Sequence, residues 1–68
     1  MKLYRYLTGP DDAAFCKRVS AALNKGWSLH GGPTLTFDPK QERVICGQAI
    51  VKDVHGVAYT DDTVLSDW

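Results

Sequence analysis

Sixty-eight residues with two cysteines make one small domain, and they exclude a disulfide framework and a metal site of recognisable spacing. The sequence shows neither the ~20 consecutive apolar residues of a membrane helix nor the apolar segment of a signal peptide at its start. We therefore expect a cytoplasmic protein without a membrane segment, metal or cofactor. Oligomerisation is then the remaining way to stabilise so small a core.

The formal net charge is zero, but the charges are unevenly placed along the chain. Residues 1–52 hold all eight lysines and arginines against four acidic residues, which gives +4. Residues 53–68 hold four aspartates and no basic residue, which gives −4. Such a tail either folds back on the basic body, screens a weak anion-binding surface, or stays solvated without an electrostatic role.

The first predicted element is a strand over residues 2–8, because its side chains alternate with period two. Leu3, Arg5 and Leu7 fall on one face, and Tyr4 and Tyr6 fall on the other. A strand with one solvated face would carry polar residues opposite its leucines. The tyrosines therefore indicate a second face that is not simply solvated.

A helix is predicted to follow, with Gly9 as its cap and Pro10 at its first position. Gly26 supplies the left-handed residue that ends the helix after about residue 25. The apolar stripe recurs at Phe15, Val19 and Leu23.

A second strand is predicted from Trp27, with alternate apolar positions that indicate one buried face. Gly31-Gly32-Pro33 interrupts it and predicts an edge strand or a bulge. Asp38-Pro39 predicts a type I turn into a return strand over residues 42–52. That strand is apolar on both faces, with Ile45, Ala49 and Val51 on one and Val44, Cys46 and Ile50 on the other.

A strand that is apolar on both faces belongs in the middle of a sheet. We therefore predict an α+β fold over residues 1–53, in which one helix packs on a three-stranded sheet in the order β-α-β-β. The return strand lies at the centre of this sheet, between two parallel outer strands. Residues 54–68 form an acidic C-terminal tail that is loosely ordered or docks as an arm.

Several short stretches resemble a family of small bacterial proteins known as domain of unknown function 1737. The similarity covers roughly residues 2–52 and leaves the tail outside it. It implies the fold and a bacterial source, but no activity and no functional residues. It rests on Lys2-Leu3-Tyr4-Arg5, Leu7-Thr8-Gly9-Pro10-Asp11-Asp12, Phe15-Cys16, Ala22-Leu23-Asn24-Lys25-Gly26-Trp27, Leu29-His30-Gly31 and Val44-Ile45-Cys46-Gly47-Gln48-Ala49.

The doubly apolar return strand predicts an interaction surface, because a single helix covers only one face of the sheet. The sequence shows no catalytic set of residues. We therefore expect a small non-enzymatic protein-interaction module that forms a homodimer across a two-fold axis. The candidate interface residues are Tyr4, Tyr6, Val44, Cys46 and Ile50.

A small-ligand binder or an enzyme is the first alternative. It would use a pocket where the second strand bends, at His30, Gly31 and Gly32. Two histidines and two cysteines on separate elements do not have the spacing of metal ligands.

A weak nucleic-acid binder is the second alternative, since aromatic side chains on a sheet can stack on bases. The modest basic excess disfavours this function, as does the lack of a glycine–aromatic signature around the tyrosines. The residues involved would be Lys2, Tyr4, Arg5, Tyr6 and Lys52.

The two cysteines are interpreted as buried free thiols that pack like small apolar residues. Cys16 lies on the helix stripe and Cys46 in the middle of the return strand. A nucleophilic pairing of Cys46 with His30 is disfavoured, because the turn at residues 38–39 places His30 beside Ile50.

Overall fold

One helix packs on an open three-stranded antiparallel sheet in the computed structural model, which describes residues 1–68. The predicted α+β fold and the order β-α-β-β are confirmed. Neither helical segment has the length and apolar character needed to span a bilayer. The elements are β1 (Lys2–Pro10), α1 (Ala13–Asn24), β2 (Ser28–Asp38), β3 (Arg43–Asp53) and a short 3-10 helix (Leu65–Asp67).

The sheet has the strand order β1-β3-β2, so the predicted central position of the return strand is confirmed. β3 runs antiparallel to both neighbours, and β1 and β2 are therefore parallel to each other. In the register, Leu7 lies opposite Gln48, and Leu29 lies opposite Ile50. Residues directly opposite each other share a face, so this register decides which side chains meet.

The core is small and lies between α1 and the sheet. Its two most deeply buried side chains are Leu3 and Ile50, and the cluster of five buried residues is completed by Leu7, Ala22 and Trp27. Gly26 has a φ of 97°, which ends the helix as predicted and turns Trp27 into the core. Burial of each large apolar side chain contributes about 1.5–3 kcal/mol to folding.

The helix starts later than the sequence predicts. Pro10 is the last residue of β1 and lies opposite Ile45, and α1 begins at Ala13. The N-cap is Asp12, whose Oδ1 accepts a hydrogen bond of 3.0 Å from Phe15 N. Pairing with β3 extends the strand through Pro10, and Asp is a better cap than Gly. The prediction of Gly9 as the cap was therefore wrong.

The inward stripe of the helix also differs from the prediction. Phe15 and Val19 pack against the core, but the buried helix residue is Ala22, and Leu23 is exposed. The positions that face the core thus follow the spacing i, i+4, i+7 rather than i, i+4, i+8.

A bulge interrupts β2, as the sequence predicts. The register shifts between His30, opposite Ala49, and Thr34, opposite Gly47, so Gly31-Gly32-Pro33 faces a single residue. Gly31 has a φ of 71°, a conformation that suits glycine. The buried side chain of Gln48 stabilises the bulge by donating a 3.2 Å hydrogen bond from Nε2 to Gly31 O.

The tail returns to the side of the sheet that carries the helix. Val54 N donates a 2.7 Å hydrogen bond to Met1 O, and Leu65 and Trp68 pack against the core cluster. Lys52 Nζ donates a 2.8 Å hydrogen bond to Trp68 O. The division of the chain into a domain and a tail at residue 53 stays a prediction.

Candidate functional site

The sheet face opposite α1 carries Tyr4 and Tyr6 and is called the tyrosine face below. Tyr4 is 54% exposed. Tyr6 lies across β3, where a Cβ added at Gly47 would be 2.5 Å from the Tyr6 hydroxyl oxygen. The Tyr6 and Thr34 hydroxyls are hydrogen-bonded to each other. One of the two tyrosines is therefore used within the chain, to cover a glycine and to join β1 to β2.

The other face of β2 carries three large apolar side chains that are more than half exposed. Leu29, Leu35 and Phe37 are 52%, 68% and 60% exposed. Val44 of β3 lies directly opposite Phe37 and extends the same surface. These four residues are called the β2 apolar surface. They share their face with the core residue Ile50, but no helix covers them.

The prediction of one buried face on β2 was therefore wrong. Every residue from 28 to 37 is exposed. The physical reason is that the helix and the tail are too narrow to cover the whole sheet. The core cluster on which they pack draws residues from β1 and β3 and none from β2.

A cleft of about 280 Å³ runs between α1 and β2 beside this surface. Its walls are mostly apolar and include Leu29, so it is continuous with the β2 apolar surface. Other lining residues are Phe15, Cys16, Val19, Pro33 and Gln48.

The five predicted interface residues do not share one face. Tyr4 lies opposite Val51 and Tyr6 opposite Ala49, so the tyrosines belong to the face of β3 that carries odd-numbered residues. The other three candidates, Val44, Cys46 and Ile50, lie on the opposite face. The predicted grouping is corrected because period-two alternation sorts residues within one strand, whereas the register between strands decides which sets coincide.

Accessibility divides the second set further. Ile50 is fully buried in the core and Cys46 is buried beneath the end of β1. Neither is available to a partner in this structure. Val44 alone is exposed, and it joins the β2 apolar surface.

A family model described as Domain of unknown function (DUF1737) matches residues 1–53. The chain belongs to this family. The match spans β1, α1, β2 and β3 and ends at the last residue of β3. Comparisons with curated proteins and with solved structures gave no match.

In this DUF1737 domain the bend at His30, Gly31 and Gly32 lies in the open. All three residues are exposed, and a Cβ added at either glycine would have nothing within 4 Å. None of the three cavities in the structure is lined by these residues. The structure therefore does not bring the candidate ligand residues together in a pocket.

The candidate nucleic-acid residues are divided between the two faces. Lys2, Tyr4 and Tyr6 lie on the tyrosine face. Arg5 and Lys52 lie on the helix side, where the Arg5 guanidinium carbon is 6.0 Å from the centre of the Trp27 ring. Two of the three cations are thus turned away from the tyrosines.

The two thiols have different environments. Cys46 is buried, and its Sγ donates a 3.4 Å hydrogen bond to Gly9 O. Burial raises the pKa of the Cys46 thiol, and the nearby Asp11 carboxylate raises the same pKa further, so the thiol stays protonated at neutral pH. Cys16 is exposed, which corrects the prediction that both cysteines are buried.

His30 lies opposite Ala49, one residue from the predicted position beside Ile50. It points to the tyrosine face, whereas Cys46 belongs to the helix side of the sheet. The register thus separates the possible nucleophile from its possible base.

Proposed function

We propose that this DUF1737 protein is a small non-enzymatic protein-interaction module that forms a homodimer through the β2 apolar surface. The observation that carries the proposal is the exposure of Leu29, Leu35 and Phe37, each more than half exposed on one face of one strand. Contiguous apolar side chains of this kind are typical of interaction sites.

A second copy of the chain is the partner that the size of the core favours. Nine of 68 residues are buried, and a domain of this size gains stability from burying more surface on association. An isologous contact also requires a self-complementary surface. The β2 apolar surface offers both parts of such a contact, because Leu35 and Phe37 project from it and Leu29 lines the neighbouring apolar cleft.

The contact is expected between faces rather than between strand edges. β2 is an edge strand, but Pro33 and the bulge interrupt its outer edge. Proline cannot donate to a ladder, and bulges turn an edge away from a second sheet. Side-chain packing over the bare face of β2 is therefore the supported arrangement.

The tyrosine face is the alternative dimer interface. It is favoured by the exposure of Tyr4, and it is disfavoured by the hydrogen bond that Tyr6 already makes to Thr34.

The proposal assigns no enzymatic activity to the protein. Two observations support this part of it, namely the protonated Cys46 thiol and the separation of Cys46 from His30.

Light scattering across micromolar concentrations tests the proposal with two matched variants of the full chain. Phe37→Ser removes an aromatic ring from the β2 apolar surface, and Tyr4→Ser removes a similarly exposed ring from the tyrosine face. We expect a dimeric wild type and a dimeric Tyr4→Ser. For Phe37→Ser we expect a weaker dimer, by at least about tenfold in Kd, since burial of one ring contributes about 1.5–3 kcal/mol.

Two results would contradict this proposal. A wild type that stays monomeric up to the highest concentration would remove the homodimer. Dissociation by Tyr4→Ser, with Phe37→Ser unaffected, would move the interface to the tyrosine face.

A further inference from the structure

A second recess lies on the helix side of the sheet, between β1, the last turns of α1 and the end of the tail. Its volume is about 170 Å³. Three of its lining residues are cationic, Arg5, Arg18 and Lys25, and none is acidic. Its aromatic walls are Trp27 and Trp68. We call it the basic cavity.

Arg5 occupies an unusual position in this cavity. It lies on the same face of β1 as the buried residues Leu3 and Leu7, and it is itself half-buried. Its guanidinium is stacked near the Trp27 ring, but it makes no hydrogen bond and no ion pair with the chain, whose single ion pair joins Arg43 to Asp12. None of the Arg5 guanidinium nitrogens is both buried and unpaired, so they remain accessible, and an anion in the cavity can accept charge-assisted hydrogen bonds from them.

No side chain that lines the cavity is a carboxylate, and Arg18 donates a 2.9 Å hydrogen bond to the main-chain oxygen of Thr8. Lys52 lies next to the cavity, but its ammonium is already engaged, since it donates hydrogen bonds to Lys25 O and to Trp68 O. The carbonyl end of α1 has the opposite polarity, but Lys52 satisfies one of its oxygens. Cations that line a recess of low polarity concentrate anions there.

The shape and the walls restrict the ligand. A volume of 170 Å³ corresponds to about six water molecules, so it holds a small molecule rather than a chain segment. The two indoles and Leu7 offer apolar contact to a flat group. We propose that the basic cavity binds a small organic anion in which a carboxylate or phosphate is attached to a flat apolar group.

The tail takes part in this site, because Ser66 and Trp68 form one wall of the cavity. The ligand would therefore bind beneath the packed end of the tail. The basic cavity shares no lining residue with the β2 apolar surface, so ligand binding and dimerisation can succeed or fail independently.

Intrinsic fluorescence of the full chain is the direct measurement, because both tryptophans of the protein line the cavity. The probes are phenyl phosphate, benzoate and inorganic phosphate, each titrated at low salt. We expect a saturable change in emission with at least one aromatic anion, at lower concentration than with inorganic phosphate. A preference between phenyl phosphate and benzoate would show which anionic group the site takes.

Three variants assign the binding. Arg5→Gln and Arg18→Gln each remove one cation from the cavity, and we expect each to raise Kd for the aromatic anion at least fivefold. Arg18 is exposed, so its replacement tests the site without disturbing the core. Arg43→Gln removes an arginine that does not line the cavity, and we expect an unchanged Kd.

No saturable change with wild type would overturn the proposal. Equal weakening by Arg43→Gln and Arg18→Gln would also overturn it, because the attraction would then come from the overall charge. Inorganic phosphate that binds as tightly as the aromatic anions would refute the part of the proposal that assigns a flat group to the tryptophan walls.

Discussion

The two outer strands of the sheet make an instructive comparison. β1 and β2 both carry large apolar residues at alternate positions, and both pair with β3. Leu3 and Leu7 of β1 are buried, whereas Leu29 and Leu35 of β2 are exposed. The difference lies in what covers them, since the core cluster on which α1 and the tail pack includes Leu3 and Leu7 of β1 and no residue of β2. Alternation thus predicts a shared face, and the number of covering elements decides whether that face is buried.

The largest expected effect comes from comparing one leucine of each strand. Leu3→Ala removes a fully buried side chain and should lower the free energy of unfolding by about 2–5 kcal/mol. Leu35→Ala, in a side chain that is 68% exposed, should change the stability of the monomer by at most about 0.5 kcal/mol. Urea denaturation at low protein concentration measures both.

Repeating the same denaturation at high protein concentration sharpens the comparison. If the β2 apolar surface is a dimer interface, Leu35→Ala should become destabilising as concentration rises. If Leu3→Ala and Leu35→Ala lowered the free energy of unfolding of the monomer equally, β2 would be covered within one chain. The two strands would then not differ in burial.

An intermediate effect is expected on the tyrosine face. Gly47→Ala places a methyl group against the Tyr6 ring and should cost about 1–3 kcal/mol. In a Tyr6→Ser background the same substitution should cost much less, and a double-mutant cycle in urea measures the difference. An unchanged cost in that background would show that the Tyr6 ring does not lie over Gly47.

The smallest effects concern the two thiols, of which Cys16 lies beside β2 and Cys46 lies against the end of β1. Exposed Cys16 lines the cleft beside β2 and should react quickly with a disulfide reagent, whereas buried Cys46 should react slowly. The raised pKa of Cys46 gives stability that is present below the ordinary thiol pKa of about 8.5. This stability is lost as pH rises above that value, because the unfolded chain releases the proton first.

Denaturation of wild type and Cys46→Ala between pH 7 and pH 10 checks the sign. The wild type should lose more stability than the variant over this range. Equal loss would mean that Cys46 is not responsible for the alkaline slope.

Much of the fold could be predicted, because at several positions the local conformational preference of the residues is the same as the conformation that the packed structure requires. Gly26 ends the helix, Gly31-Gly32-Pro33 forms the bulge, and the doubly apolar return strand lies at the centre of the sheet. The start of the helix could not be predicted in the same way. Pairing of Pro10 with β3 is a long-range contact, and it overrides the local preference of proline for a helix start.

The candidate sites were harder to predict than the fold. Interface residues such as Tyr4 and Ile50 were assigned to one surface, but the register between β1 and β3 places them on opposite faces. The basic cavity was missed as well, although its signal was present in the sequence. Arg5 stands between two leucines on a face that becomes the core, and a cation at such a position indicates that the core opens to solvent there.

One lysine connects three parts of the molecule. From its place in β3, Lys52 donates hydrogen bonds of 2.6 Å to Lys25 O at the end of α1 and 2.8 Å to Trp68 O in the tail. Detachment of the tail removes one of these bonds, and fraying of the last helical turn removes the other. Because the Lys52 ammonium makes both hydrogen bonds, we expect local opening of the tail or of the helix end to weaken the remaining hydrogen bond as well. We therefore expect the backbone amides of the final helical turn and of the tail to be linked in their protection against hydrogen exchange.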